Sequence, residues 1–500
     1  VSQNDANTNY SELISNCDLL IKAGKISAAT ELISGLNLAQ VPRSSRQALA
    51  KICRRVDLFG HGLRLLQPLI RQEKKNFEPA TAGEICEYSV LLSRIGLRQE
   101  AMNLLKTVDA SVVPEALLYL AYCHVFDWDY DQAVEPLEKF LASGADSYSK
   151  LIARVNLISS YIATTQFAKA AELLIVTIEL AEQASATRLV GNCLELRGRL
   201  QLQQGNFAES RADLNRALEI FHSAQSYDRL FVDKWQSVMT ALEQRSTEPL
   251  LHFRKEAFLR KEWDSVREAD MFTLKVQFNQ NLFDHLNFGT PMSGYRRRIQ
   301  NEVGGQVSAS YLLGQEGSNC LDLQTGHLDH AEDFSPGKKI HCVLSALVKD
   351  FYVPRSIGAL FSELYPDDYF DINSSPRRVR QLILRTRQWL KESKIPARIE
   401  QSGGGYQFSI YGSFSICIPF GNHSLGSNSV HWQQLKNRFP AGVPFSARQA
   451  CHILNWPRSS FLVVAEWALK AGELKKSGKG RTVLYQIAVS SQNQTDPAVA

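Results

Sequence analysis

A short break recurs at nearly regular distance through the first half of this 500-residue chain, and it limits the possible folds more than any other feature. Gly24-Lys-Ile-Ser-Ala-Ala29 and Gly96-Leu-Arg-Gln-Glu-Ala101 are each followed by a leucine-bearing pair, and Gly60 stands midway between them. Trp128-Asp-Tyr-Asp-Gln-Ala133, Thr165-Gln-Phe-Ala-Lys-Ala170 and Gly205-Asn-Phe-Ala-Glu-Ser210 continue the series. The steps from Gly24 to Gly205 are 36, 36, 32, 37 and 40 residues. Between breaks, apolar residues return every three or four positions, as at Leu19-Leu20, Leu32-Ile33, Leu104-Leu105, Leu173-Leu174 and Leu214. Residues 10 to about 245 therefore read as helix after helix. A unit this short cannot bury an apolar face alone, so neighbouring units must stack.

A small residue at the break lets the second helix of each pair fold back closely. Ile26, Tyr130, Phe167 and Phe207 are expected to fill the gap beside it, and Ala29, Ala101, Ala133 and Ala170 to sit where helices cross. In these respects residues 1–245 resemble tetratricopeptide repeats with divergent spacing. The resemblance implies a stacked array that binds a peptide or protein partner; the alternative is a scaffold that only stacks on itself or dimerises. Residues 246–304 remain helical but lose the repeat, and read as a cap and linker. There Tyr295-Arg296-Arg297-Arg298 is either a basic contact or a solvated helix face.

The net charge of +5 conceals a segregation. Residues 335–411 carry 12 Lys or Arg against 7 Asp or Glu, and residues 430–488 carry 9 against 2. The remainder of the chain is therefore acidic. A basic back half points to a polyanionic partner.

In that half the periodicity changes. Tyr311-Leu-Leu and Cys320 to Leu328 read as short strands, and a helix from about Gly337 is expected to end at Pro354. A second helix covers about Arg355 to Leu364. A third opens at Ser374-Ser375-Pro376, a serine cap with proline in the first turn. Val379, Ile383, Thr386 and Leu390 share its inner face, while Arg377, Arg378, Arg380, Gln381, Arg385 and Gln388 fall mainly off it. Strand, glycine turn and strand follow through Gly403-Gly404-Gly405-Tyr406. This order, over residues 305–418, resembles the OmpR/PhoB-type winged helix. The resemblance implies a third helix in the major groove and a hairpin wing near the minor groove. Arginine forks suit guanine edges and phosphates. The pattern departs from the family at Ser402, where arginine is usual, and at Leu384, where a polar residue is usual.

After a linker over residues 419–429, a second, shorter module spans residues 430–490 and precedes a polar tail, 491–500, read as disordered. One helix covers His431 to Phe439, a second follows Ser446, and a third begins near Arg458 with Phe461, Leu462, Ala465 and Leu469 as its inner stripe. A basic hairpin tip, Gly478-Lys479-Gly480-Arg481, comes next. This module is similar to the winged helix of MarR-like repressors. The resemblance implies groove contacts from Arg458, Ser459 and Ser460 and phosphate contacts from Lys479 and Arg481.

Other chemistries find little support. The nine cysteines are widely spaced with no C-x-x-C pair, so buried free thiols of a reducing compartment are expected. His327 and His330, with acids nearby, match no metal-ligand spacing and read as turn residues. Gly472 to Lys479 has the wrong spacing for a phosphate loop. No run of about 18 apolar residues marks a membrane span, and the first residues carry no secretory pattern. The sequence thus reads as a mainly α, cytoplasmic, non-enzymatic bacterial transcriptional regulator: a tetratricopeptide-like helical array followed by two α+β winged helices. Its expected partners are duplex DNA and a peptide or protein, with a homodimer possible and neither cofactor nor metal. The alternative is a scaffold whose winged helices hold proteins.

Overall fold

The structure is a computed structural model that describes residues 9–23, 25–71, 78–223, 226–315, 319–328, 337–421, 427–454, 456–478 and 483–488. The chain divides into two compact units. The first runs to Val307 and includes two later segments, Asp350–Ala359 and Tyr369–Arg378. The second comprises Ser308–Lys349, Leu360–Asp368 and the chain from Val379 onward.

The first unit is an array of stacked helices with a recurring break. Among the described residues, seventeen α-helices lie between Tyr10 and Val303, and most pack chiefly on their sequence neighbours. One local device ends many of them. Leu97 N donates to Leu92 O at 3.0 Å, Asp129 N to His124 O at 2.9 Å, Gln166 N to Tyr161 O at 2.8 Å and Asn206 N to Gln201 O at 2.9 Å. Each bond closes around a residue in the left-handed region: Gly96, Trp128, Thr165 and Gly205. This geometry satisfies carbonyls that a helix end leaves open and turns the chain back for the next helix.

The same device relocates one break. Asp57, not Gly60, takes the left-handed conformation, and Leu58 N donates to Cys53 O at 2.8 Å. Gly60 lies in the first turn of the helix Phe59–Ile70. Counting five residues from each true break reaches Gly62, Ala101, Ala133, Ala170 and Ser210, all buried. A Cβ at Gly62 would stand 2.8 Å from Leu91, which explains why the position is small. Gly24 lies outside the described residues. Ile26 does not fill a gap but is exposed, whereas Tyr130, Phe167 and Phe207 are half-buried against the core.

Paired helices continue past residue 245 to the helix Ser293–Val303, and the stretch read as cap and linker shares a core with the repeats. Trp235, Phe253, Phe272, Phe283 and Tyr295 fill it. Of the three arginines after Tyr295, Arg297 lies on the solvated face, while Arg296 and Arg298 turn inward. Arg296 donates to the carbonyls of Thr290 (2.7 Å) and Pro291 (2.8 Å), and Arg297 to Asp129 at 2.9 Å. Arg298 is buried.

Charges also fill the middle of this unit. Lys234 pairs with Glu268 at 2.5 Å, and Arg298 lies 3.6 Å from the other oxygen of that carboxylate. Burial opposes ionisation of Glu268, but Lys234, Arg199 and Arg298 outweigh it and hold the carboxyl at about 2. Arg267, also buried, donates to Asp350 at 2.7 Å and stacks 4.8 Å from the Tyr352 ring, while the Tyr352 hydroxyl donates to Asp270 at 2.9 Å. The later segment Asp350–Ala359 is thereby keyed into the first unit. The segment from Tyr369 is held likewise: Ile372 N donates to Gln67 at 2.9 Å, Phe370 N to Glu100 at 3.2 Å, and Arg71 lies 4.4 Å from the Tyr369 ring.

The second unit holds two small modules. In the first, strand Ser415–Pro419 lies between Ser310–Gly314, antiparallel to it, and Cys320–Asp322, parallel to it. That middle strand is not among the expected ones, although Ile416 and Ile418 alternate with Cys417 and are buried. The helix Lys339–Leu347 ends well before Pro354. Its buried His341 accepts at Nδ1 from Gly337 N (3.1 Å), so the proton on Nε2 is donated to Leu323 O (2.8 Å). The helices Ile357–Leu364 and Ser375–Glu392 follow. Strands Ala397–Ser402 and Gly405–Ile410 form a hairpin whose two-residue turn, Gly403-Gly404, has positive φ at both positions. That turn matches the right-handed twist of the strands.

The second module runs helix Ser427–Arg438, strand Pro444–Phe445, helix Ala447–Ile453, helix Arg458–Lys470 and hairpin Leu474–Ser477 with Leu484–Ile487. Ser446 caps its second helix in a reciprocal box with Gln449. The core is Trp432, Leu435, Phe439, Phe445, Phe461, Val464, Ala468 and Tyr485, with their neighbours. The inner stripe of Arg458–Lys470 is therefore Phe461, Val464, Ala465 and Ala468. Leu462 is exposed and Leu469 half-buried, because the helix is rotated from the expected face. All nine cysteines are unpaired, and burial pushes the thiols of Cys53, Cys86 and Cys193 up to about 12.

Two outcomes follow for the array. Ser185 sits at φ 52 in one of the helix-ending turns. Replacing it with glycine should raise stability by ~1 kcal/mol by removing left-handed strain, read from the urea midpoint. Glu268 has a lower pKa folded than unfolded, so its stabilisation is complete above its ordinary value of 4.5 and is lost as pH falls from there towards 2. E268Q should cost ~3–5 kcal/mol at neutral pH by leaving buried cations unpaired. Its deficit relative to wild type should shrink across that acid window in denaturation measured at stepped pH.

Candidate nucleic-acid interface

The helix Ser375–Glu392 is amphipathic in the simplest way. Val379, Leu382, Ile383, Thr386 and Leu390 are buried, so the positions between them must face outward. Asp371 prepares its start. The carboxylate accepts from the backbone of Asn373 (3.0 Å) and Ser374 (2.6 Å), and the Ser375 hydroxyl accepts from Asp371 N (2.9 Å). Burial would raise the Asp371 carboxyl, but the bonds from Ser374, Gln67 and Asn373 hold it below the usual range.

Of the residues expected to meet DNA, Arg377, Arg380, Gln381, Arg385 and Gln388 are exposed. Arg378 is half-buried, and the residues Ser375 to Arg378 group with the first unit rather than the second. Arg380 and Arg385 have no acidic partner among the described residues. Gln388 donates to Glu392 at 2.8 Å within its own helix. Arg387, not among the expected contacts, donates twice to Ile399 O, at 3.0 and 2.7 Å, and so ties the helix to the hairpin. Leu384 is 65% exposed among these arginines.

In the last module Arg458 and Ser459 are exposed at the start of Arg458–Lys470, and Ser460 is half-buried. Lys479 and Arg481 lie outside the described residues, as does His330; His327 sits in the turn after Asp322, whose N–H donates to its carbonyl at 2.9 Å. The sequence reading did not single out Arg448, Lys475 and Lys476, which are exposed on this module. The local basic excess was their only signal. The two sets of expected contacts stand on separate modules, the second with its own core. Among the described residues no group of His, Cys, Asp and Glu could hold a metal ion, and no helix is long and apolar enough to cross a membrane.

The class defined by this architecture is a helical-repeat array joined in one chain to a smaller mixed α and β unit. No protein-family model matches the chain, and no curated protein matches it in sequence. Among solved structures, the apo form of RapI aligns with 59% of this chain and 85% of its own, at 14% identity and a TM-score of 0.38. A Rap protein complexed with Competence and Sporulation Factor aligns with 58% of this chain and 85% of its own, at 12% identity and a TM-score of 0.36. A tetratricopeptide repeat protein from Parabacteroides merdae aligns with 58% of this chain and 99% of its own, at 15% identity and a TM-score of 0.34.

The contrasting duties of two neighbouring arginines can be separated. R387A should lower stability by ~1 kcal/mol because its carbonyl bonds disappear. R385A should change it by less than ~0.5 kcal/mol. Chemical denaturation of the two variants side by side checks this.

Proposed function

We propose that this chain is a non-enzymatic DNA-binding regulator whose two C-terminal modules act as winged helices on duplex DNA. Its helical array takes a peptide or protein ligand. The observation that carries the reading is the helix Ser375–Glu392: one face is fully spent on a core, and the other displays Arg380 and Arg385 unneutralised, followed at once by a hairpin. Exposed guanidinium groups on a helix suit the acceptors of guanine edges and phosphates. The basic excess of both modules adds non-specific attraction that falls steeply with salt.

The test is binding of the full chain to a random duplex pool across a salt series. The expected result is a strong salt dependence. R380A with R385A should weaken binding by roughly 1–3 kcal/mol for each arginine that reads a base, or reduce the salt slope by about one for each arginine that neutralises a phosphate. Affinity unchanged in the double variant would sink the reading.

A second reading is favoured by a different observation. Leu384, Leu462 and Val463 are exposed on the very helices that would enter a groove. Apolar residues there suit a protein surface, making the chain an assembly scaffold. No duplex binding even at low salt, together with a stable complex that L462S abolishes, would favour this second reading over the first.

A further inference from the structure

Two adjoining cavities lie within the first unit, between helices that begin successive hairpins. The larger, of about 340 Å³, has an apolar wall that includes Phe167, Leu242 and Phe272, with Trp235 beside them and Lys275 and Arg298 at its charged end. The smaller, of about 270 Å³, shares Ala163, Thr165, Arg298 and Glu302 with it and is otherwise mostly polar. Cavities of this size hold a small molecule or the end of a peptide.

Arg298 stands at the junction and is 9% exposed. Its Nε donates to Glu302, but its Nη1 stops 3.6 Å from Glu268 and has no hydrogen-bond acceptor among the described residues. Behind the Trp235 wall lies Arg199, 5% exposed, its guanidinium 4.9 Å from the indole ring. Apart from a long bond from Nη1 to Ser159 at 3.4 Å, it is unmet: neither Nε nor Nη2 has an acceptor among the described residues. Buried charged donors without acceptors are costly, and native interiors supply a partner for them. The charge balance points the same way. The buried Arg199, Lys234 and Arg298 face the buried Glu195 and Glu268, while Lys275 and Glu302 pair with each other at the exposed rim, so the cations exceed the carboxylates by one. Water could meet the donors, but it would leave that excess charge and the apolar wall unmatched.

We propose that this interior binds an amphipathic carboxylate: an acidic head on Arg298 and an apolar body against Phe167, Leu242 and Phe272. The head could belong to a free small acid or to the C-terminal residue of a peptide. The proposal rests on reading the array as the ligand-binding half of the chain and is independent of whether the other half binds DNA. The test therefore involves no DNA. Thermal unfolding and calorimetry of the full chain are run with N-acetyl-L-leucine, with its amide, and with a short peptide ending in leucine as free acid or as amide. We expect at least one free acid at millimolar concentration to raise the Tm, and its amide to bind at least about tenfold more weakly, about 1.4 kcal/mol. Response to the single amino acid marks a small-molecule effector, and response to the peptide alone marks a peptide terminus. R298Q should abolish the response. If R298Q does not fold, K275M, at a half-exposed position, should weaken the response, and L242W, which fills the cavity, should remove it while circular dichroism stays native. Equal binding of acid and amide, no response to any of the four probes, or a full response in L242W would overturn the proposal.

Discussion

The carboxylate of Glu268 is the group on which the first unit most depends. It sits where four helices meet, taking Lys234 from one and Arg298 from another, with Arg199 on a third near enough to help keep it ionised. Each of those cations would be prohibitive alone in such a place. Together they make the register between helices specific, because sliding one helix by a turn would separate charges that cannot be re-solvated. Apolar packing around Trp235 and Phe272 supplies most of the burial, but many packings could do that. The ionic centre selects among them.

A comparable ion pair joins distant stretches of sequence. Arg267 meets Asp350, and the Asp350 carboxylate also takes the N–H groups of Tyr352 (2.9 Å) and Val353 (3.0 Å). A segment that follows the helix Lys339–Leu347 in sequence thus completes the array's core. The turn before Ser375–Glu392 is gripped in the same fashion by Gln67 and Glu100.

Much of this was legible in the sequence, for identifiable reasons. The helical period and the small residues at Ala101, Ala133 and Ala170 announced the repeat, because a crossing point tolerates no side chain. Gly60 misled because glycine is the usual sign of a left-handed turn, whereas here Asp57 adopts it and Gly62 answers the packing need. The faces of Ser375–Glu392 could be read because valine, isoleucine, threonine and leucine alternate cleanly with arginine. Those of Arg458–Lys470 could not, because Phe461, Leu462, Val463 and Val464 are consecutive and spacing cannot say which two turn outward. The interior cluster was hidden altogether. Arg199 and Arg298 occupy helical positions that look solvated in sequence, and apart from Glu302, four residues on from Arg298, their partners lie on helices tens of residues away. The strand Ser415–Pro419 was missed because its partners precede it by about a hundred residues.

The two returning segments also bear on how the molecule comes into being. A ribosome releases the seventeen helices first, and until the chain has emerged beyond Arg378 the array lacks pieces of its own core. Arg267, Gln67 and Glu100 would wait meanwhile for partners not yet translated. The array is therefore finished late, in step with the unit that follows it. The gene segment encoding its helices is accordingly not a self-sufficient cassette: shuffled into another protein, it would arrive without two of its parts.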